Sequence, residues 1–332
     1  MGKNITYLNS LRFIAFLIIF VCHSMPQHFP YAYIGVDFLF TFSGFLFTFL
    51  ALDELKRTGS FNRRNFFIRR SLRIWPLYFL FLSFFFYVLP TIVSYSGNSI
   101  TLPQKKYFFW FFISNYDYSQ YHFALKQLWT ISVGEQLYIL FLLVAPKLKM
   151  HFWKVISGFI FIFILCLLDS YFNHNIHLRT NTFYHLISFT MGMIGANIAV
   201  IKKEKSCMQF FLFISVLLSF VLIYYPQLPF HDAILKILIS IFSSALLMWI
   251  VQNQSLFKKV ISLLWIPEKL GKYSYGLYIY SGVFIPLGLK LIHSSCIYLP
   301  LIVQLIVTIL TAIASYHFFE KNIIRLKEKF RN

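Results

Sequence analysis

Ten apolar stretches of membrane-spanning length, about 20 residues each, follow one another along almost the whole chain. Because hydrocarbon offers no hydrogen-bond partners to a peptide backbone, such stretches are typical of transmembrane α-helices. They occupy residues 5–25, 34–52, 72–93, 127–146, 155–172, 182–201, 208–225, 233–251, 273–292 and 299–319. An aromatic run at 107–112 is too short to span and is expected at the interface or in a re-entrant segment. We therefore predict an all-α, polytopic membrane helix bundle of about ten transmembrane helices, a single integral-membrane domain over residues 1–332 with no appended soluble domain.

The basic residues predict the orientation of these helices. The net charge of +19 does not indicate a nucleic-acid partner, because the basic residues lie between apolar stretches and not on one soluble surface. If the N-terminus is cytoplasmic, 24 of the 30 Lys and Arg residues fall on the cytoplasmic side and six, among them Lys236, on the other. The positive-inside rule then puts both termini in the cytoplasm. We expect a multi-pass protein of the inner (plasma) membrane, in contact with membrane lipid and with no nucleic acid.

Arg12 and His23 lie in the first apolar stretch, where ionisable side chains are costly and usually functional. Helical spacing places them within about 20° of the same face and about 16 Å apart along the axis. In the predicted orientation Arg12 lies near the cytoplasmic side and His23 near the outer side. The alternative is that each side chain snorkels to its nearer interface, and the spacing leaves both explanations open.

Two carboxylates are candidate partners for these groups. Asp37 begins the second stretch from the outer side and returns to the depth of His23, where a carboxylate can fix the tautomer of an imidazole and raise its basicity. A helix cap at the interface is the alternative for Asp37. Glu135 lies inside the fourth stretch and should pair with a cation or line a polar cavity, as a structural ion pair or in direct chemistry. His185 and Asp232 lie near outer ends of spans, where the interface is a sufficient explanation.

A dense basic segment runs into the third stretch and contains Arg69, Arg70 and Arg73. Arg70 and Arg73 are three residues apart and share one face if the helix has begun there. Paired guanidinium groups suit phosphate better than a single point charge does. Ordinary positive-inside charge, or attraction to anionic lipid, is the alternative explanation of this segment.

Seven ordered segments carry a resemblance to a known family. The first is Leu11–Ala15 followed by His23, which together contain an Arg-x10-His pattern. The others are Gly35–Phe40, Ser43–Leu46, Arg70–Pro76, Leu128–Tyr138, Leu270–Tyr278 and the closing Ser315–Glu320. With this set the chain resembles the acyltransferase 3 family of bacterial membrane O-acyltransferases, which commonly acetylate cell-surface polysaccharides. Two departures stand out, since Ser281 lies where members often carry a histidine, and no proline follows Glu320.

The resemblance implies transfer of an acyl group, usually acetyl, from acyl-coenzyme A to a hydroxyl of a glycan or lipid-linked saccharide. Acetyl-CoA is the expected acyl donor and co-substrate, and no metal is expected. His23 would be the general base or a transient acyl carrier, and a further carboxylate would orient it. The expected catalytic residues are His23, Asp37 and Glu135. The expected cofactor-binding residues are Arg12, Arg69, Arg70 and Arg73.

Two other classes of function stay open at this point. A polysaccharide or lipid transporter or flippase without acyl transfer also contains buried charges, but it predicts discontinuous helices at corresponding places in two halves, which the sequence does not display. A lipid-modifying enzyme with a cytoplasmic acceptor would share the donor site. Its acceptor, however, would lie on the inner face, opposite to the predicted position of His23.

Overall fold

The computed structural model describes residues 7–29, 33–95, 97, 99–117, 119, 122–173, 178–201, 215, 231–254, 257, 265–291 and 298–330. All regular secondary structure in this part of the chain is helical, which confirms the predicted all-α fold. The α-helices are α1 (Tyr7–Ser24), α2 (Tyr33–Thr58), α3 (Arg63–Ser83), α4 (Leu89–Ser94), α5 (Tyr107–Trp110), α6 (Phe123–Lys126), α7 (Trp129–Val144), α8 (Leu148–Asn173), α9 (Thr182–Ile201), α10 (His231–Gln252), α11 (Trp265–Gly271), α12 (Ser274–Leu291), α13 (Tyr298–Ser315) and α14 (Lys321–Arg325). Two π-helical turns, Phe84–Val88 and Tyr316–Glu320, continue α3 and α13.

Seven helical segments of the described chain are long and apolar enough to cross a membrane. They are Ile34–Thr58, Arg63–Ser94, Phe123–Lys147, Met150–Phe172, Thr182–Val200, His231–Gln252 and Tyr298–Phe330. A shorter apolar helix covers Asn9–Ser24. The protein is therefore a multi-pass membrane protein. The predicted stretch 208–225 lies outside the described residues apart from Ser215, so the count of about ten spans and the cytoplasmic termini stay predictions.

The chain forms two compact units. The first unit comprises Met1–Pro30, Asn62–Glu135 and Ile266–Asn332, and the second unit comprises Tyr31–Phe61 and Gln136–Trp265. The boundary between them falls inside α7, which is one continuous helix. The single domain over 1–332 stays a prediction.

In the first unit, α1 packs against α12 and α13 through an aromatic stripe. Phe13, Phe16 and Phe20 recur at helical spacing, which puts them on one face of α1. They are buried together with Leu277 and Ala312. This packing fixes the rotation of α1 about its axis, and with it the positions of all other side chains on that helix.

In the second unit, α2 and α9 approach until their backbones touch. A side chain at Gly44 would collide with the carbonyl of Phe189, and one at Gly192 would collide with the carbonyl of Thr41. Small residues allow this approach in membranes, where van der Waals packing and not the hydrophobic effect holds helices together. Because α10 packs against both helices, the side chains between the three are shielded from lipid and water.

The aromatic run that was predicted not to span forms the four-residue helix α5, docked on α3. Phe109 is fully buried, and its carbonyl accepts a hydrogen bond of 2.9 Å from the Tyr78 hydroxyl. Phe112 then adopts φ +55°, a left-handed conformation that is rare for an aromatic residue. The turn sends the Phe112 ring back onto Tyr78, with 4.6 Å between the ring centroids.

Candidate active site

Glu135 is held by two side chains of α3 in the interior of the first unit. Arg70 Nε donates to Glu135 Oε1 at 3.2 Å, and Trp75 Nε1 donates to Glu135 Oε2 at 3.1 Å. The carboxylate is 2% exposed, and charge-assisted bonds of this kind offset the cost of burying it. The expectation that an intramembrane Glu135 pairs with a cation is confirmed, while its catalytic role stays a prediction.

Local sequence explains why these partners meet. The Trp75 ring packs against Phe67 and Phe112, whose ring centroids are 5.4 and 5.9 Å from its own, and these contacts help to hold the indole in place. A Cβ at Gly134 would lie 3.9 Å from Arg70 Nη2, so the guanidinium group packs against α7 at a residue that has no side chain. The left-handed turn at Phe112 thereby contributes indirectly to the geometry at Glu135.

Two further guanidinium groups gather near Arg70. Arg12 donates to the side-chain oxygen of Asn9 at 3.2 Å and interacts electrostatically with both Arg70 and Arg73. Arg73 in turn interacts with Glu320, which the π-helical turn at the end of α13 carries. We call Arg12, Arg70, Arg73, Glu135 and Glu320 the arginine centre. Its three cations exceed its two carboxylates, so the centre has a net positive charge.

Arg73 differs from Arg70 in how its charge is neutralised. Within the described ranges, no carboxylate lies within ion-pair distance of its guanidinium group, whereas Arg70 is paired with Glu135. A buried cation without a bonded anion is unfavourable, and an anionic ligand would correct this.

Arg69 is directed differently from its neighbours. Its guanidinium donates to the backbone carbonyl of Phe330 at 2.6 Å and lies over the ring of Phe66, 5.7 Å from the centroid. This arrangement connects the start of α3 to the helical turn Leu326–Phe330. The predicted role of Arg69 in cofactor binding stays a prediction.

His23 lies at the end of α1, half-buried, with its ring edge against Phe123 at 5.6 Å between centroids. Among the described residues, its ring nitrogens have no hydrogen-bond partner, so both are available to a substrate. Phe123 is positioned by His122, whose Nδ1 accepts the backbone N–H of Ala124 at 3.2 Å and caps α6. Burial lowers the pKa of His122, which keeps this capping imidazole neutral.

The late motif fastens α12 to the start of α7. Gln127 Nε2 donates to the carbonyls of Tyr278 and Ile279, at 2.9 and 3.0 Å, and the Tyr278 hydroxyl donates back to the Gln127 carbonyl at 2.8 Å. A side chain at Gly282 would collide with the Gln127 amide, which explains a glycine there. Ser281, where a histidine is frequent in the resembled family, donates to the carbonyl of Tyr278 at 2.7 Å and is 4% exposed.

Asp37 belongs to a buried charged cluster of the second unit. Its carboxylate accepts a hydrogen bond from the Lys236 ammonium and lies 3.5 Å from His185 Nδ1. Ser188 donates to the same carboxylate oxygen at 3.4 Å, and Ser240 donates to Ser188 at 2.8 Å. All five side chains are nearly or fully inaccessible to solvent, and they come from α2, α9 and α10.

The hydrogen-bond partners assign the protonation of this cluster. His185 Nε2 lies 2.8 Å from the carbonyl oxygen of Arg179, which can only accept, so Nε2 carries the proton. Nδ1 lies 2.9 Å from Lys236 Nζ, from which it accepts a hydrogen bond when the imidazole is neutral. With a neutral imidazole, the Asp37 carboxylate and the Lys236 ammonium balance each other's charge.

Two members of the cluster lie elsewhere than predicted from the sequence. An interfacial position is wrong for His185, because this residue is 3% exposed and its ring contacts Lys236. Lys236 was counted as an outer-side positive charge, yet its ammonium group is buried against Asp37. The sequence did contain a signal for this burial, because Lys236 is the fourth residue of the predicted span 233–251. Asp232 does lie at the surface, paired with Arg179 at 2.5 Å.

Asp37 was also predicted to lie at the depth of His23 and to orient its imidazole. The bonds described for Asp37 lie within the second unit, whereas His23 belongs to the first. A role for Asp37 in orienting His23 therefore stays a prediction. Within the described ranges, no group of three or more His, Cys, Asp or Glu side chains is arranged to hold a metal ion.

Comparison with known proteins finds similarity to acyltransferases. A family model described as an acyltransferase domain matches residues 5–320. The "Putative O-acetyltransferase SACOL0978" of Staphylococcus aureus (strain COL) is 32% identical over 169 residues, which are 48% of this chain and 28% of that protein. The "O-acetyltransferase OatA" of Staphylococcus aureus (strain NCTC 8325 / PS 47) is 32% identical over 153 residues, 44% of this chain and 25% of that protein. No solved structure matches the chain.

Proposed function

This chain belongs to the acyltransferase 3 family, and on that premise we propose that it is a membrane O-acyltransferase, specifically an O-acetyltransferase. The acyl group moves from cytoplasmic acyl-CoA, with acetyl-CoA as the donor, to a hydroxyl of a cell-surface or lipid-linked glycan. The names of the two Staphylococcus aureus relatives support transfer of acetyl to oxygen. The protein acts in the inner (plasma) membrane.

The observation that carries the proposal is the arginine centre. Three guanidinium groups from α1 and α3 face only two carboxylates, so the centre has an excess of positive charge in a place that water and lipid do not neutralise well. CoA carries several phosphate charges, and guanidinium groups bind phosphate oxygens through paired hydrogen bonds. The donor phosphates occupy this centre, with Arg12, Arg70 and Arg73 as ligands and Arg69 at its edge.

The continuous helix α1 connects the donor site to the proposed reaction site. Arg12 and His23 lie on this one helix, about 16 Å apart by helical rise. A pantetheine arm is on the order of that length, so phosphates bound near Arg12 leave the thioester within reach of His23. The unbonded ring nitrogens of His23 are consistent with a base that waits for its substrate.

The reaction is a balanced acyl transfer. His23 removes the proton of the acceptor hydroxyl as its oxygen attacks the thioester carbonyl carbon. The new C–O bond forms, the C–S bond breaks, and the proton passes from His23 to the departing thiolate to give free CoA. In the second form of this proposal, a His23 ring nitrogen attacks the thioester carbon and the C–S bond breaks to release the CoA thiolate. The acceptor oxygen then attacks the acyl carbon, the C–N bond to His23 breaks, and the hydroxyl proton goes to the thiolate. Glu135 and Asp37 support the reaction by holding charge in fixed positions.

Membrane vesicles test the proposal directly. Vesicles that contain the wild type, His23→Ala or His28→Ala receive labelled acetyl-CoA and the surface glycan of the host. His28 is exposed beyond the end of α1 and serves as the matched control. We expect label in the glycan with the wild type and with His28→Ala, and a loss of at least about a hundredfold with His23→Ala, because general base catalysis contributes factors of this size.

Each contrary result has a distinct meaning. Equal labelling with wild type and a stably inserted His23→Ala removes His23 from the reaction but keeps the enzyme. If no acyl donor labels the glycan, while the glycan still crosses the membrane only when the protein is present, the acyltransferase proposal fails and a transporter replaces it.

A further inference from the structure

Tyr275, the second residue of α12, has a buried hydroxyl group without a partner. Its oxygen is inaccessible to solvent, and no residue of the described chain forms a hydrogen bond with it. Its ring packs against a buried cluster that includes Tyr78 and Ile279. A hydroxyl buried in this way destabilises the protein unless something else bonds it, so its position requires another explanation.

Tyr275 lies in the same region of the first unit as the arginine centre. Tyr275 interacts electrostatically with Arg70, Glu135 and Glu320, which are three of the five members of that centre. Gly276 explains how α12 comes so close, since a Cβ there would lie 3.5 Å from Glu320 Oε1. The unbonded hydroxyl and the incompletely neutralised Arg73 therefore belong to the same region of the first unit.

Two other tyrosine hydroxyls of the first unit, those of Tyr78 and Tyr278, differ from it. Tyr78 donates to the carbonyl of Phe109 at 2.9 Å, and Tyr278 donates to the carbonyl of Gln127 at 2.8 Å. These two hydroxyl groups already have hydrogen-bond partners within the protein and stabilise the fold. Tyr275 thus combines burial, proximity to the arginine centre and an unused donor.

We propose that the Tyr275 hydroxyl is a ligand-binding group that donates a hydrogen bond to a phosphate oxygen of the acyl donor. This inference rests on the proposed function. A phenol is a strong donor without a charge, so it adds a directional contact to the anion without adding a fourth positive charge to the three guanidinium groups. Tyr275 is therefore a specificity-determining residue for phosphorylated donors.

The test uses the full-length protein in lipid nanodiscs, with Tyr275→Phe and Tyr78→Phe as a matched pair. Calorimetry gives the Kd of CoA for each protein, and thermal unfolding without ligand gives its Tm. For Tyr275→Phe we expect a Kd weakened by about tenfold or more and a Tm that is not lowered, because the lost hydroxyl had no bond in the free protein. For Tyr78→Phe we expect the opposite, a lowered Tm and a CoA Kd within about twofold of wild type.

Pantetheine and lipid composition identify the group that is bound. Pantetheine has no phosphate, so its affinity should be the same for wild type and Tyr275→Phe. If the hydroxyl instead served a lipid headgroup, nanodiscs with anionic phosphatidylglycerol would abolish the difference in CoA affinity that neutral nanodiscs show, and the inference would be overturned.

The remaining outcomes separate the two proposals. A wild type that binds CoA while Tyr275→Phe binds it equally well overturns the role of Tyr275 and leaves the proposed function standing. A wild type that binds neither CoA nor acetyl-CoA overturns the proposed function, and the role of Tyr275 with it.

Discussion

At the scale of residues, variants of the Asp37–Lys236 pair test whether the Asp37 carboxylate stabilises the fold or takes part in the reaction. Removing one partner of a buried pair leaves the other charge unpaired, at a cost of about 3–5 kcal/mol. Replacing both by apolar residues of similar size avoids that cost. We therefore expect Asp37→Leu and Lys236→Met each to lower the free energy of unfolding strongly, and the two substitutions combined to restore most of it.

Unfolding of the purified variants measures this, and labelled acetyl transfer in vesicles measures the chemistry. The control is Asp53→Asn, because Asp53 pairs with Arg57 on an exposed part of α2 and should contribute less than about 1 kcal/mol. Strictly additive losses in the double variant would refute the ion pair as the source of stability. A well-folded double variant without transfer would show that Asp37 acts in the reaction itself.

The sequence was informative about these residues only in part. Glu135 was expected to pair, because its depth in an apolar stretch demands a cation and the preceding arginines offer one. The Asp37–Lys236 pair was not expected, because 199 residues separate its members. Helical periodicity assigns a residue to a face of its own helix, but it does not say which distant helix that face meets.

At the scale of elements, the contact between α2 and α9 depends on glycine at position 192. A methyl group there would collide with the carbonyl of Thr41, so Gly192→Ala must push the helices apart. We expect a loss of about 1–3 kcal/mol in the free energy of unfolding, the usual effect of overpacking. Gly158→Ala in α8 is the matched control, because a methyl group there meets nothing within 4 Å.

The control should change stability in the opposite direction. Alanine exceeds glycine in helix propensity by about 1 kcal/mol, so Gly158→Ala is expected to be neutral or slightly stabilising. The two unfolding transitions are compared in the same detergent. A Gly192→Ala protein as stable as Gly158→Ala would contradict the direct backbone contact of α2 with α9.

Hydropathy located the elements better than it located their ends. The third span was predicted from residue 72, but α3 begins at Arg63, because Asn62 caps it by accepting the N–H of Asn65 at 3.0 Å. Helix α2 likewise runs past residue 52 to Thr58, supported by the Asp53–Arg57 pair. Apolar composition marks the part of a helix inside hydrocarbon, whereas hydrogen bonding and capping decide where the helix stops.

At the scale of the whole molecule, the orientation in the membrane is the main prediction. The charge asymmetry predicts that Ser60 faces the cytoplasm and Thr101 the outside, and both residues are exposed. Single cysteines at these positions, in a protein whose four native cysteines are replaced by serine, are treated with a membrane-impermeant maleimide. Intact spheroplasts should label Thr101→Cys, and only permeabilised ones should label Ser60→Cys. The reverse pattern would invert the topology and place His23 on the cytoplasmic side.

The fold class and the family were both accessible from the order of the motifs, because spans and charged motif residues are local in sequence. The arrangement of the arginine centre could be predicted from the sequence only in part. Arg70 and Arg73 share a face of one helix, but the approach of Glu320 and Tyr275 depends on α12 and α13, far along the chain. Such contacts follow from helix packing, which the sequence of one helix does not encode.

The cluster around Asp37 also sets an order of events during biogenesis. Asp37 leaves the ribosome 199 residues before Lys236, an interval of about 10–40 s at ordinary rates of synthesis. Throughout that time the carboxyl group of Asp37 lacks its lysine partner, and an unpaired charge in hydrocarbon is costly. The buried cluster of the second unit can therefore form only after residue 236 has been synthesised.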